Sequence, residues 1–358
     1  MATFNRDERD YDAVTVGGMI REDVMDKIYR IDPEETYFHD LAGRESSNNI
    51  YKEFTQEDLD AIDLTATDCA LVDGMDAPAD TGSTERRLGT YHQQSSKTVK
   101  QSHRAQEVDT IANVGALLRR VMIKQKSLRR LCEAIALSNQ AGQPGDGDEA
   151  NISTTGPGKT PGAPSWLVTH SSEGATLGAP PEYSGANNTG YPDTAATSGD
   201  IRALSDATVQ QMVEDIYTSG GNPTTIMSTP KVIGAYSDFH FGSDAKIATL
   251  QSDKAQGKAD ALTAYGYVNV VATKFDIVLT LVPNRQQQLY KAATAADFFI
   301  LDPTYWFISY LQGYRTEPLA KTGTADNRQI TVDWAVGCTA EKANGVIRDI
   351  DPSLAVTA

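Results

Sequence analysis

The stretch from 105 to 139 keeps a single helical period along its whole length. Val108, Ile111, Val114, Leu118, Val121, Met122, Leu128, Leu131, Cys132 and Ile135 recur three and four apart, the spacing of one helix face. Gly142 and Pro144 mark the stop. At 1.5 Å per residue such a helix runs roughly 50 Å, whereas globular helices average roughly ten to fourteen residues. A rod of that length must be packed against by the rest of the chain, so 105–140 is expected as a spine.

The segments after it alternate in type. Residues 141–200 are dominated by Gly, Pro, Ser, Thr, Asn and Ala, interrupted by SWLVT at 165–169, and are expected as a surface insertion. A second helix has Ser205 as N-cap, Leu204 as a staple, Val209, Met212, Val213, Ile216 and Tyr217 on one face, and Gly220-Gly221 as the stop. Residues 224–228 read as a strand, and Thr229-Pro230 opens a short helix reaching Phe239. Strand patterns recur at 266–273, 276–282, 297–301, 305–311 and 329–339. Helices and antiparallel strands segregated in this way give an α+β class.

Ahead of the spine the pattern is weaker. Residues 1–68 hold short amphipathic pieces at 24–29 and 57–64 and read as an arm. Residues 69–84 are turn-rich, and 85–101 (ERRLGTYHQQSSKTVKQ) are polar, with Leu88, Tyr91 and Val99 as the sizeable apolar side chains. Such a segment can pair as a β-hairpin but cannot bury itself. An extended hairpin over 69–104, leaning on another surface, is the expectation.

Charge is distributed unevenly. The 358 residues carry 32 basic and 48 acidic side chains, a net −16. Residues 1–80 hold seven basic against 21 acidic, and 85–131 hold eleven basic against three. The two poles are either solvated faces of one domain or, in a repeated subunit, complementary surfaces on neighbouring copies. On the spine the basic residues are Arg119, Arg120, Lys124, Lys126, Arg129 and Arg130, which would meet phosphates, acidic protein or water. The acidic balance argues against a sequence-specific DNA-binding protein. No run approaches the roughly 18 apolar residues of a membrane helix, and the opening MATFNRDERDYD lacks the look of a secretory leader. The cytoplasm is the expected place of residence, with no membrane partner.

Chemistry is sparse. Gly156-Pro157-Gly158-Lys159-Thr160 ends like a phosphate-binding loop, but Ser153 stands where the first Gly belongs and Pro161 follows where a helix should. His170-Ser171-Ser172-Glu173-Gly174 lacks the first Gly of a nucleophile elbow. His39, His92, His103, His170 and His240 are scattered singly, and Glu34-Glu35 and Glu57-Asp58 lack calcium-loop glycines. Asn187-Asn188-Thr189 matches a glycosylation sequon without a leader to expose it. Cys69, Cys132 and Cys338 are too far apart for a metal pair and are expected as buried apolar side chains. No catalytic, cofactor-binding or metal-ligating residue is expected.

In order along the chain, an acidic arm, a dependent hairpin, a long spine helix, a central α/β region and returning strands resemble the major capsid proteins of tailed bacteriophages, which have the Hong Kong ninety-seven fold. Locally the chain is similar to the capsid family of long-headed podoviruses. The similarity lies in Glu53-Phe54-Thr55-Gln56-Glu57-Asp58-Leu59, in Arg87-Leu88-Gly89-Thr90, in Ile216-Tyr217-Thr218-Ser219-Gly220-Gly221-Asn222-Pro223 and in Leu319-Ala320-Lys321-Thr322-Gly323. It covers most of the chain, from about residue 50 to 350. Gly89 and His92 depart from the strand-friendly polar residues usual there.

The resemblance implies a structural protein, not an enzyme, that self-assembles into hexamers and pentamers of an icosahedral shell around double-stranded DNA. It implies an arm over 1–68, an extended loop over 69–104, a spine over 105–140, an insertion over 141–200, an axial domain over 201–300 and returning peripheral strands over 301–358. Glu85, Arg86, Arg87, Tyr91, Lys97 and Lys100 would then contact neighbouring subunits, and Arg119, Arg120, Lys124, Arg129 and Arg130 would face the genome or an acidic arm. Portal and scaffolding proteins, and a decoration protein, would be further partners, and packaged DNA would be touched without sequence specificity. The rivals are another phage structural subunit (tail tube, sheath or decoration), which the spine disfavours, and an enzyme using 141–200 as a lid, for which convergent polar residues are missing.

Overall fold

The computed structural model describes residues 31–58, 73, 74, 76, 84–107, 116–145, 156–240, 270–273, 277–291, 293–321 and 323–357. In chain order they form α1 (Tyr37–Leu41), β1 (Gly43–Ser46), β2 (Tyr51–Asp58), β3 (Thr84–Tyr91), β4 (Gln93–Ser102), α2 (His103–Glu107), α3 (Ala116–Ala136) and α4 (Ala163–Trp166). Next come β5 (Ser171–Ser172), β6 (Glu182–Gly185), β7 (Thr189–Thr194), α5 (Asp206–Thr218), β8 (Thr225–Ser228), α6 (Pro230–His240) and β9 (Val270–Ala272). The described chain finishes with β10 (Val278–Pro283), β11 (Ala296–Leu301), β12 (Trp306–Pro318), β13 (Ala325–Cys338) and β14 (Gly345–Ile350). Three sheets result, ordered β1-β12-β13-β4, β5-β14-β11-β8-β10-β9 and β2-β3-β7-β6. The α+β class expected from the sequence is the one observed.

The six-stranded sheet is a wall between two cores. Because side chains alternate across a strand, Met227, Phe299, Leu301 and Val346 face the core that holds α3 and the long sheet. Their neighbours Ile226, Phe298, Ile300 and Ile347 face the core that holds α5 and α6. α5 begins after Ser205, which sits at the N-cap with extended backbone yet makes no capping hydrogen bond through its side chain. Val209, Met212, Val213 and Ile216 are its buried face as the period requires, whereas Tyr217 is exposed.

The helix α3 is described over Ala116–Ala136; Val108, Ile111 and Val114 lie outside the described residues. Leu128, Cys132 and Ala136, four apart, are its fully covered stripe and pack with Ile330, Val332 and Trp334 of β13. One turn further towards the N-terminus the stripe opens, and Leu118 and Met122 are exposed. At the other end Ser138 Oγ donates to the Ile135 carbonyl at 2.7 Å, satisfying one acceptor that a helix end leaves free.

Four expectations change. The strands within 85–101 do not pair with each other: β3 pairs antiparallel with β2, and β4 with β13. The chain changes sheets at His92, whose N–H and Nδ1 both meet the Ile50 carbonyl at 2.9 Å. The hairpin is therefore β2–β3, and the part of the expected loop lying in 69–72, 75 and 77–83 is outside the described residues, Cys69 with it, as are 24–29 and 59–64. Secondly, the expected arm over 1–68 is in part built into the body, since α1, β1 and β2 fall within it and Phe38 is fully buried.

Thirdly, much of 141–200 is interior. Thr160, Ala163, Ser165, Trp166 and Leu167 are fully buried, because SWLVT supplies apolar volume that Phe54, Tyr183 and the long sheet close over. Fourthly, 301–358 does not return whole to the spine: β14 crosses into the six-stranded sheet between β5 and β11. Each of these choices depends on partners far away in sequence. Cys132 and Cys338 are buried, and burial pushes the Cys132 thiol up to about 12.

Candidate functional site

The β2–β3 ribbon carries a cluster of charge at the Asp58–Thr84 end, where it meets the body at Lys342. Register places Asp58 opposite Thr84 and Glu57 opposite Glu85. On β3, Arg86, Leu88 and Thr90 share the buried face, and Glu85 and Arg87 point outward. Arg86 is largely buried and its Nη2 donates to Asp58 Oδ2 at 2.6 Å. The same oxygen accepts from Lys342 Nζ at 2.8 Å, and Lys342 belongs to the short turn between β13 and β14. Burial works to raise the Asp58 carboxyl, but these two cations outweigh it and hold it below the usual carboxylate range. A carboxylate between two cations is a clamp that fixes the ribbon to the body at one point.

Arg87 pairs with Glu53 across the ribbon and Lys52 with Glu45. Tyr91 stacks at 4.5 Å on Tyr51 and at 4.9 Å edge-on to Tyr191. Burial and the nearby Glu53 push the Tyr51 phenol up to about 12. This cluster explains Gly89: a Cβ there would lie 2.3 Å from the Tyr51 ring. On β4, Lys97 is half-buried and Lys100 is exposed. The structure thus gives Arg86, Arg87 and Tyr91 partners inside the chain, and leaves Glu85 and Lys100 open.

The spine residues divide too. Arg130 Nε donates to Gln286 Oε1 at 3.2 Å, Lys126 Nζ meets Glu34 at 2.6 Å, and Arg129 lies over the Tyr314 ring. Arg119 is half-buried, while Arg120 and Lys124, one turn apart, are exposed, and Arg120 Nη1 approaches the Lys100 carbonyl at 3.5 Å. Lys100, Arg120 and Lys124 therefore form one exposed basic strip across β4 and α3, beside the exposed Leu118 and Met122.

Sequence reasoning passed over Glu133. It is fully buried on α3, and its Oε1 accepts from the Phe38 N–H at 2.7 Å and Asn284 Nδ2 at 2.8 Å. Its Oε2 accepts from the His39 N–H at 3.0 Å and faces His39 Nδ1 at 2.7 Å. Burial alone would raise this carboxyl, but His39 first, then the Phe38 N–H and Asn284, lower it. One carboxylate thereby ties α1, α3 and the segment after β10 together. Its signal in the sequence was being the single acid among the six basic residues of α3.

Catalytic chemistry finds no support among the described residues. Thr160 of the failed phosphate motif has its Oγ1 occupied by the Val336 N–H at 2.9 Å, and Thr90 Oγ1 donates to the Val336 carbonyl at 2.7 Å. These two threonines satisfy the β13 edge just beyond its last pairing with β4 at Trp334. Among the described residues no cluster of His, Cys, Asp and Glu could hold a metal, and no helix is long and apolar enough to cross a membrane.

Comparison with known proteins agrees with this architecture. The sequence profile of a family described as SU10 major capsid protein matches residues 2–351. No curated protein matches the chain. Among solved structures, the capsid of Cyanophage P-SCSP1u is similar at 9% identity and TM-score 0.53, over 95% of this chain and 94% of that one. A chain of Mycobacterium phage Bobi is similar at 10% identity and TM-score 0.53, over 96% and 99%. The SrpI encapsulin of Synechococcus elongatus is similar at 8% identity and TM-score 0.51, over 98% of both. At these identities the solved structures establish the fold.

Proposed function

The chain belongs to the SU10 major capsid protein family, and from that membership we propose how its copies hold one another in the shell. It is a phage major capsid protein, a structural chain without enzymatic activity, and it associates with copies of itself. Hexamers and pentamers of an icosahedral shell, assembled in the host cytoplasm around double-stranded DNA, are the form this association takes. Portal, scaffolding and decoration proteins are the further partners the resemblance suggests.

The observation that carries the proposal is charge complementarity between the β2–β3 ribbon and the strip on β4 and α3. Residues 59–83, which connect the two ribbon strands, contain six aspartates and no basic residue. The exposed strip of Lys100, Arg120 and Lys124 is cationic and flanked by Leu118 and Met122. The acidic connection of one copy lies on the basic strip of the next, where opposite potentials fix register and suppress wrong pairings. This reverses the roles expected from sequence, in which the hairpin was basic and the arm acidic, because nine of the 21 acidic residues in 1–80 belong to the ribbon and its connection. Lys97 and Glu85 flank the contact. DNA is contacted sparsely and without base readout, as the net −16 requires.

Reversing the strip with Lys100→Glu and Arg120→Glu tests this. Both residues are exposed, so the isolated chain should keep its circular dichroism spectrum and melting temperature while assembly yield collapses. Wild-type assembly of the double variant would overturn the assignment of the strip.

A further inference from the structure

Where the arm meets the spine, Thr36, His39, Arg44, Arg129, Tyr310 and Tyr314 enclose a cavity of about 200 Å³ with no carboxylate in its lining. Tyr310 and Tyr314 reach it because β12 shifts register against β13 on both sides of Gln312, and such irregularities re-aim side chains. Their ring centroids are 6.4 Å apart. Burial raises both phenols, which keeps them as neutral hydroxyls. Arg129 rests 6.0 Å from the Tyr314 ring centroid and has no carboxylate partner among the described residues. Arg44 gives Nη2 to Asp40 at 3.3 Å on an exposed flank, a pair worth little.

His39 adds an independent observation. It is 7% exposed, its Nδ1 faces Glu133 at 2.7 Å, and its Nε2 has no partner in the protein. An ionised carboxylate only accepts hydrogen bonds, so Nδ1 is committed to Glu133 and Nε2 is the ring nitrogen left without a partner. Buried polar atoms without partners are uncommon and point to a missing one. The missing group must offer anionic oxygens to two guanidiniums and a further polar oxygen to an imidazole nitrogen.

Free phosphate and sulfate both offer oxygens on every side of the ion, whereas the phosphodiester of a DNA backbone has only two that are not esterified. We propose that this cavity binds one free tetrahedral oxyanion of the phosphate or sulfate kind, held by Arg44 and Arg129 with an oxygen at His39 Nε2, and that occupancy fastens α1 and β1 to the spine and the long sheet. Tyr310 supplies a further hydroxyl, while that of Tyr314 is shared with the Cys132 thiol.

The test is calorimetric titration of the purified full chain with inorganic phosphate in a chloride buffer, alongside sulfate and a DNA duplex lacking terminal phosphates. Two variants accompany it. Arg129→Gln removes one exposed charge, and Gly313→Leu puts a bulky side chain at a position that lines the cavity and has open space around a Cβ. The expected result is saturable phosphate binding, weakened at least about tenfold in Arg129→Gln by the loss of one charge-assisted hydrogen bond and weakened in Gly313→Leu by crowding, with sulfate binding of comparable strength. Absence of phosphate binding, or binding unchanged in both variants, overturns the site. Duplex binding as tight as phosphate overturns the assignment to a free oxyanion. None of these readouts depends on shell formation.

Discussion

Asp58 and Lys342 stand 284 positions apart in the chain and meet at 2.8 Å, joining the end of β2 to the turn before β14. Arg86 shares the same carboxylate oxygen. Replacing Asp58 with Asn leaves a largely buried guanidinium without its counter-charge, which should cost about 1–3 kcal/mol. Hydrogen exchange should then show faster opening of the β2 and β3 amides, with β12 and β13 unaffected. Unchanged protection of the ribbon would mean the clamp is ornamental.

Glu133 should dominate acid sensitivity. Its carboxyl is lowered in the folded chain, so its contribution is fully present above the ordinary glutamate value of about 4.3 and is lost as pH falls through the folded value. Asp58, lowered likewise, acts in the same direction. Glu133→Gln should cost about 1–3 kcal/mol at neutral pH, the penalty of leaving buried donors to this carboxylate unsatisfied. It should also flatten the acid limb of stability against pH. Denaturant unfolding at several pH values reads both effects.

Asp297 should behave with the opposite sign. It is buried, and burial raises its carboxyl despite Arg348 and the 2.7 Å hydrogen bond from the Tyr290 hydroxyl; Asp349 and Glu173 add to the rise. A carboxyl whose folded value lies above its unfolded one loses stability for the fold as pH rises between the two. Asp297→Asn keeps an oxygen for Tyr290 and removes the ionisation. The variant should melt higher than wild type at pH 7 and show no gain at low pH, which thermal scans at the two pH values would show.

Gly89 should tolerate no side chain. A Cβ there falls on the Tyr51 ring, so Gly89→Val should destabilise by about 1–3 kcal/mol through overpacking. Combining it with Tyr51→Ser should recover part of that loss, a coupling that a double-mutant cycle measures.

The long helix over its described part (Ala116–Ala136), α5, α6 and the strands from β8 to β13 were legible because their periods are local properties of the chain. The pairing of β3 and β4 was not. Both strands are polar on one face and separated by His92 alone, and their partners are residues 51–58 and 325–338. The role of 156–200 was hidden by composition, since Gly, Pro and Ser mark loops whether they lie outside or inside; SWLVT, with Trp166 and Leu167 fully buried, was the clue. Glu133 and Lys342 were unreadable as a tie and a clamp because what they bind comes from other parts of the chain.

The central claim is that copies of this chain close into shells through the acidic ribbon and the basic strip. Negative-stain microscopy of the purified chain at neutral pH and moderate salt, with light scattering for mass, tests it most directly. The account predicts closed shells or their pentamers and hexamers, losing mass as salt screens the contact. A monomer or dimer that stays so at every concentration and salt would contradict it.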